Sequence, residues 1–375
     1  RRHKPAFVFL KDRAVPPHNQ PMINIDPSAF SNLPGTFHAR QAPTPLPAPY
    51  LVAYNVELAA QFDLPNEPAE PLIELLGGNR PPAGAQPLAA VYAGHQFGVY
   101  VPQLGDGRAL LLGDVTDRQG QCHELQLKGA GRTSFSRGAD GRAVLRSTIR
   151  EYLASEAMHG LGIPTTRALA IIGSDQPVYR EQIETAAVLT RLAPSHVRFG
   201  SFEYFHYRGM ADHVRRLADF VIDAHFPTAA HGDQRYGEFL REVIERTARL
   251  VAAWQAQGFV HGVMNTDNMS ILGLTLDYGP YGFLDHFEAG RVFNHTDHRG
   301  RYAYANQAGI AFWNLQALAE ALSTLIDGDA RETLLARFEP VFVQAYGALM
   351  CRKLGLERAD SADSADSADS ADADL

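Results

Sequence analysis

With 375 residues and 45% hydrophobic content, the chain is long enough to bury a large core and to divide into two or three packed units. The formal net charge of −8 is concentrated at one end, because Asp360, Asp363, Asp366, Asp369, Asp372 and Asp374 carry most of it. The rest is near neutral and has no basic stripe, so nucleic acid is not an expected partner. No stretch approaches the ~20 uncharged apolar residues of a membrane span, and the short apolar run after Arg1-Arg2-His3-Lys4 is broken by Lys11. The expectation is a cytoplasmic, monomeric protein with no membrane partner. Cys122 and Cys351 are too sparse for a disulfide framework or a metal finger and read as buried or incidental thiols.

Residues 1–88 read as an N-terminal extension wrapping the lobes that follow. Pro43, Pro45, Pro47 and Pro49 favour extended chain there, and a short helix is expected over Asn55 to Phe62. Residues 89–205 carry strand signals. The apolar segments Ala109 to Val115 and Glu124 to Lys128, separated by Asp117 and Gly120, predict an antiparallel pair. A helix is expected over Ser147 to Leu161, with Ser147 or Thr148 as N-cap and Gly160 and Gly162 near its end. A second strand pair is expected over Ala168 to Ile172 and Thr185 to Leu192.

In residues 206–358 apolar side chains recur at three and four residues, as in Val214, Leu217, Val221 and in Phe239, Leu240, Val243, Ile244, Leu250, Val251, Trp254. Trp254 and Trp313 are expected in the helical core. Gly258 should end the longer helix, and Phe259-Val260 should lead into a polar loop, His261 to Met269, followed by short strands over the apolar Ile271 to Leu276. The Ala-Asp-Ser repeat, residues 359–375, has no apolar face and is expected to be disordered. The fold class is therefore α+β. A sheet-rich N-terminal lobe followed by a helical C-terminal lobe with a polar loop and Asp-Tyr-Gly is the order of parts in a protein kinase, a bilobal fold.

Three segments suit a nucleotide phosphate, which needs close backbone approach and cations. Gly105-Asp106-Gly107-Arg108 is a turn between strands, equally readable as an ordinary hairpin. Lys128 closes an apolar strand before Gly129-Ala130-Gly131 and needs an anionic partner, for which Glu151 in the following helix is the candidate. A surface lysine and a surface glutamate is the alternative. The third segment, His261 to Asn268 with Asp277-Tyr278-Gly279, offers an Asn carbonyl and an Asp carboxylate, hard oxygens suited to a metal–nucleotide complex. Against the kinase pattern His-Arg-Asp, Val263 stands where the catalytic aspartate belongs. Valine cannot deprotonate a hydroxyl, but Asp267 lies beside Asn268 and is a candidate for that work.

Longer motifs carry a specific likeness: Tyr92-Ala93-Gly94-His95-Gln96-Phe97-Gly98, Gln126-Leu127-Lys128-Gly129-Ala130-Gly131, Ser136-Arg137, Asp140-Gly141-Arg142-Ala143, Arg198-Phe199-Gly200-Ser201-Phe202-Glu203 and Asn294-His295-Thr296-Asp297-His298. Over most of residues 25 to 350 the chain resembles the selenoprotein O family, kinase-like protein adenylyltransferases once counted as pseudokinases. The resemblance implies transfer of AMP from ATP to hydroxyl-bearing side chains of proteins, with Mg²⁺ or Mn²⁺, on a nucleotide whose terminal phosphate points inward. By the same resemblance Gly105, Gly107, Arg108, Lys128, Asp140, Gly141, Arg191, Arg198 and Asp277 contact nucleotide. Asp267 would be the base, and Asn268 and Asp277 the metal ligands. Without the family, Arg191 and Arg198 read as structural arginines.

An ordinary phosphotransferase and a non-catalytic ATP-binding scaffold are the competing readings. His286, His295 and His298 with Asp285 and Asp297 match no compact zinc motif and read instead as an activation-loop-like element. Family members continue beyond the point where the Ala-Asp-Ser repeat begins here, and many have cysteines that the resemblance links to redox control. This chain has Tyr281-Gly282 after Pro280 and no cysteine in the repeat, so that control is not expected.

Overall fold

The computed structural model describes residues 23–232 and 234–356. The expected disordered repeat and the first 22 residues of the extension lie outside the described residues.

Alternating and continuous apolar runs form one antiparallel sheet, in the order His38–Arg40, Leu88–Ala90, Ala109–Thr116, Cys122–Lys128, Ile183–Ala193, Arg167–Tyr179, Tyr50–Tyr54. Ala143–Val144 adds to Ile183–Ala193 off this path. Cys122–Lys128 lies at the centre, with Ala109 and Leu189 as the two register partners of Lys128. The expected strand pairs are present, and the second is longer at both ends than its apolar core suggested. The extension contributes two strands to the sheet, so its proline-rich stretch from Pro43 to Pro49 runs between paired segments.

One face of the sheet buries Leu110, Leu112, Leu125, Leu127, Leu169 and Val188 against Leu58, Leu72, Leu75 and Leu76 of the extension. Each such side chain contributes about 1.5–3 kcal/mol when fully buried. The helix at Asn55 is present as Val56–Ala60, its N-cap Asn55 accepting from the Leu58 amide.

The helix expected from Ser147 starts earlier, at Leu145, and runs to Gly160. Val144 is the N-cap, in extended conformation with no side-chain cap. Ser147 and Thr148 sit inside the first turn, where their hydroxyls donate back to the Val144 carbonyl at 3.0 and 2.9 Å. Two strong capping residues thus serve the carbonyl instead of the free amides.

The second core is helical. Arg235–Gln257 turns Phe239, Leu240, Val243, Ile244, Val251 and Trp254 inward, and Gly258 ends it in the left-handed conformation at φ 68°. It packs with Ala211–His225, Gln307–Ala321 and Phe338–Leu354. The helix Phe199–His206, which no periodicity announced, buries Phe199, Phe202 and Phe205 in the same core. No helix among the described residues is long and apolar enough to cross a membrane.

Three expectations are corrected. Ile271 to Leu276 form no strand, because their backbone groups pair singly with loops: Ile271 N with Val197 O, and Thr275 with Pro164 and Thr166. Trp254 is core and its Nε1 donates to Thr275 Oγ1 at 2.9 Å, but Trp313 is only half-buried beneath the Arg301 guanidinium. Cys122 is exposed at the outer end of its strand.

On the central strand Glu124 is buried, with Oε2 accepting from the His196 amide at 2.7 Å. Burial pushes its pKa up to about 8, helped by Asp114. The folded chain then keeps a proton that the unfolded chain releases near pH 4.5, so this group's contribution to stability falls as pH rises from about 4.5 toward 8. Thermal melting between pH 6 and pH 8.5 should show a steeper loss of Tm in the parent than in Glu124→Gln. Parallel curves would refute the assignment of the buried proton.

Candidate active site

The sheet, the Leu145–Gly160 helix and the loop after Leu276 converge on one buried ion network. Lys128 Nζ lies 2.7 Å from Glu151 Oε2 and 2.7 Å from Asp277 Oδ1. Arg191, opposite Gln126 on the neighbouring strand, donates through Nε and Nη2 to Gln126 Oε1 at 2.8 and 2.6 Å. Its Nη1 reaches Glu151 Oε1 at 2.9 Å and Asp277 Oδ1 at 2.8 Å. Arg198, the N-cap of Phe199–His206, donates through Nη1 to Asp277 Oδ2 and, at 2.7 Å, to the Asp267 carbonyl. Its guanidinium stacks 4.7 Å from the centroid of the Tyr92 ring.

Burial by itself raises the Asp277 pKa, but Arg198, Lys128 and Arg191 together hold it well below the usual carboxylate range. Burial opposes ionisation of Arg191 and Arg198 most strongly of any single effect, yet Asp277 together with Glu151 beside Arg191, and with Tyr92 and Asp106 beside Arg198, holds both above the ordinary guanidinium range. Asp106, buried nearby, is pushed up mainly by desolvation. The network is anionic at Asp277 and cationic around it.

A cavity of about 540 Å³ opens on this network. Its walls bring together Gly105, Gly107, Arg108, Lys128, Asp140, Gly141, Arg191, Arg198, Asn268 and Asp277, ten of the expected residues from segments distant in sequence. Glu151 stands behind Lys128, outside the lining. Asp267 is also outside it, since its side chain lies under the hairpin made by Gly94–Gln96 and Val99–Val101. Burial pushes the Asp267 pKa up to about 6, against the lowering effects of a hydrogen bond from Gln96 and the charge of Arg198. Val263 lines the cavity in place of an acid.

At the mouth, Asp140 accepts two hydrogen bonds from Arg180, at 2.7 and 2.9 Å, which hold its carboxyl below its ordinary range. Gly141 follows at φ 72°, where an added Cβ would lie 2.1 Å from the Gly131 carbonyl oxygen, so only glycine fits. Arg142 is buried and donates to the carbonyls of Thr44 and Pro45 at 2.8 Å each, binding this loop to the proline-rich extension. Arg108 is exposed, and its side chain has no ion-pair or hydrogen-bond partner among the described residues. Tyr92, Phe135, Arg142, Arg180 and Tyr278 also line the cavity, though residue type alone did not single them out. For Tyr92, Phe135, Arg142 and Tyr278 the signal was only their place inside or beside the quoted motifs, and Arg180 had none.

The donor set suits a hard divalent cation beside phosphate. Asn268 Nδ2 donates to the Val263 carbonyl at 3.0 Å, which orients the amide and leaves its oxygen available, and Asp277 is held ionised. The histidine-rich segment is occupied otherwise: Asp297 accepts from the Arg301 and Tyr302 amides, and Asn294 donates to the Gly262 carbonyl.

The chain is similar to known proteins over most of its length. The family model described as protein adenylyltransferase SelO matches residues 23–370. The protein nucleotidyltransferase YdiU of Myxococcus xanthus is 59% identical over 331 residues, spanning 88% of this chain and 68% of that protein. The YdiU of Thioalkalivibrio sulfidiphilus is 58% identical over 337 residues, with the same shares. Among solved structures, ROP2 from Toxoplasma gondii, a virulence factor with a protein-kinase fold and no enzymatic activity, is similar at a TM-score of 0.32 and 10% identity, over 71% of this chain and 85% of that one. That likeness bears no weight beside the sequence match, which covers nearly all the described residues: the chain belongs to the protein adenylyltransferase SelO family.

Proposed function

We propose that this protein transfers AMP from ATP to Ser, Thr or Tyr hydroxyls of acceptor proteins, and that the cavity above Asp277 is where it does so. The observation that carries the proposal is the single carboxylate Asp277 held ionised by three buried cations at the base of a cavity that also presents Asn268. Three cations gathered on two carboxylates, Asp277 and Glu151, leave one positive charge for phosphate oxygens.

Gly105, Gly107 and Arg108 approach the nucleotide from one wall, Asp140 and Gly141 from the mouth, and Lys128 from the sheet. Arg191 and Arg198 lie deepest and grip the outer phosphates, leaving the α-phosphorus toward the acceptor. Asn268 and Asp277 hold Mg²⁺ or Mn²⁺, which when bound offsets charge on the phosphates. Glu151 fixes Lys128 as an ion-pair partner. Asp267 takes the proton of the acceptor hydroxyl as its oxygen bonds to the α-phosphorus. The bond from that phosphorus to the β-phosphate oxygen breaks, and pyrophosphate leaves with the electron pair. We propose a monomer acting in the cytoplasm without nucleic acid, built from the extension to residue 88 and lobes over 89–205 and 206–358.

Saturating ATP with Mg²⁺ should raise Tm, since ligand at ~100-fold its Kd stabilises by about 2.7 kcal/mol. Lys128→Ala and Asp277→Ala should lose most of that shift; equal shifts in both variants would place the nucleotide elsewhere. With α-labelled ATP, label should enter protein and pyrophosphate should appear, while γ-label stays out. Asp267→Ala should lower transfer ~10²–10⁴-fold with ATP affinity largely kept. An intact mass increased by one phosphate instead of one AMP would mean a kinase.

A further inference from the structure

The Gly94–Gln96 and Val99–Val101 hairpin meets the catalytic loop residue by residue. The His95 amide donates to Thr266 Oγ1 at 2.7 Å. The Phe97 amide donates to the Tyr302 hydroxyl at 2.9 Å, and that hydroxyl donates to Asn265 Oδ1 at 2.5 Å. Between these two anchors, Gln96 Nε2 donates to Asp267 Oδ2 at 3.1 Å. Glu203, fully buried, locks both sides: it accepts from Thr266 Oγ1 at 2.6 Å and lies 2.8 Å from His95 Nδ1.

The approach is close. A Cβ at Gly94 would lie 2.7 Å from Asp267 Oδ1, so the hairpin backbone passes directly over the carboxylate. Phe97 holds φ 52°, an unfavourable conformation for a bulky residue, and its amide is fixed by the Tyr302 hydroxyl and, at 3.4 Å, by Asn265 Oδ1 of the catalytic loop. Asp267 Oδ1 has no hydrogen-bond partner among the described residues. The terminal torsion of an aspartate is broad when nothing directs it. A single side-chain amide therefore sets which way this carboxylate faces.

We infer that Gln96 is a positioning residue for AMP transfer, orienting the Asp267 carboxylate through Oδ2 so that Asp267 meets the acceptor hydroxyl. This rests on Asp267 as the proton acceptor. Gln96 carries no charge and changes no proton inventory; it supplies direction. It lies outside the nucleotide cavity, so its removal should affect turnover and leave ATP binding alone.

The test is a double-mutant cycle of Gln96→Leu with Asp267→Ala, reading α-label transfer from ATP to the proteins of a cell lysate, ATP affinity and Tm. Gln96→Leu should lower kcat ~10–100-fold, the range for residues that orient a reacting group, with KM for ATP within about twofold of the parent. In the Asp267→Ala background the same substitution should cost nothing further, because its effect runs through that carboxylate. Should Gln96→Leu lose its melting transition, Gln96→Glu, of equal size, replaces it in the cycle. Equal losses in both backgrounds, or a loss that follows ATP affinity, overturn the role. Full transfer by Gln96→Leu beside an inactive Asp267→Ala overturns this role alone, whereas full transfer by Asp267→Ala overturns the base assignment and this role together.

Discussion

The structure depends on the pairing of the half-buried Asp277 with the buried Lys128, Arg191 and Arg198. Each of these groups would be costly alone in the interior, and removing one partner of such a set typically costs about 3–5 kcal/mol because the others are left uncompensated. Together they are anchored from every part of the fold: two strands, the Glu151 helix, the N-terminus of Phe199–His206 and the loop after Leu276. An apolar core of the same volume is often as stable or more so, so stability alone does not account for the network.

Around this centre the protein separates two environments by geometry. The charged cavity is built from the sheet, its glycine turns and the loop tied to the extension by Arg142. Asp267 sits outside that lining, desolvated beneath a hairpin that carries no charge into contact with it. Keeping the carboxylate away from the clamp lets desolvation raise its pKa, where closer cations would have depressed it as they do Asp277. The valine at position 263 fits the same division, since an acid there would line the cavity beside the phosphates.

Much of the fold was legible because local patterns and packing agree. The helix periodicity ending at Trp254 and Gly258, and the strand ending at Lys128, appear where apolar spacing placed them. The pairing of Lys128 with Glu151 was one of two open readings, and the structure chose it by bringing the helix across the sheet. Where local signals misled, a competing hydrogen-bond partner had prevailed. Ser147 and Thr148 look like caps but bond backward to Val144, and Ile271 to Leu276 look like a strand but find only single loop partners.

The sequence by itself determined the family and the α+β order of parts, and it singled out the residues that the structure gathers at one cavity, because those are carried by contiguous motifs whose chemistry is local: glycines at turns, a lysine closing a strand, Asn268 and Asp277 flanking a short loop. Only the tertiary structure decided that Arg191 and Arg198 share one carboxylate with Lys128, that Arg142 fastens the extension to the cavity, and that Gln96 reaches Asp267. The physical reason is common to all three. Each is a directional contact between segments far apart in the chain, set by sheet register and helix crossing, and no spacing along the sequence encodes a distance through space.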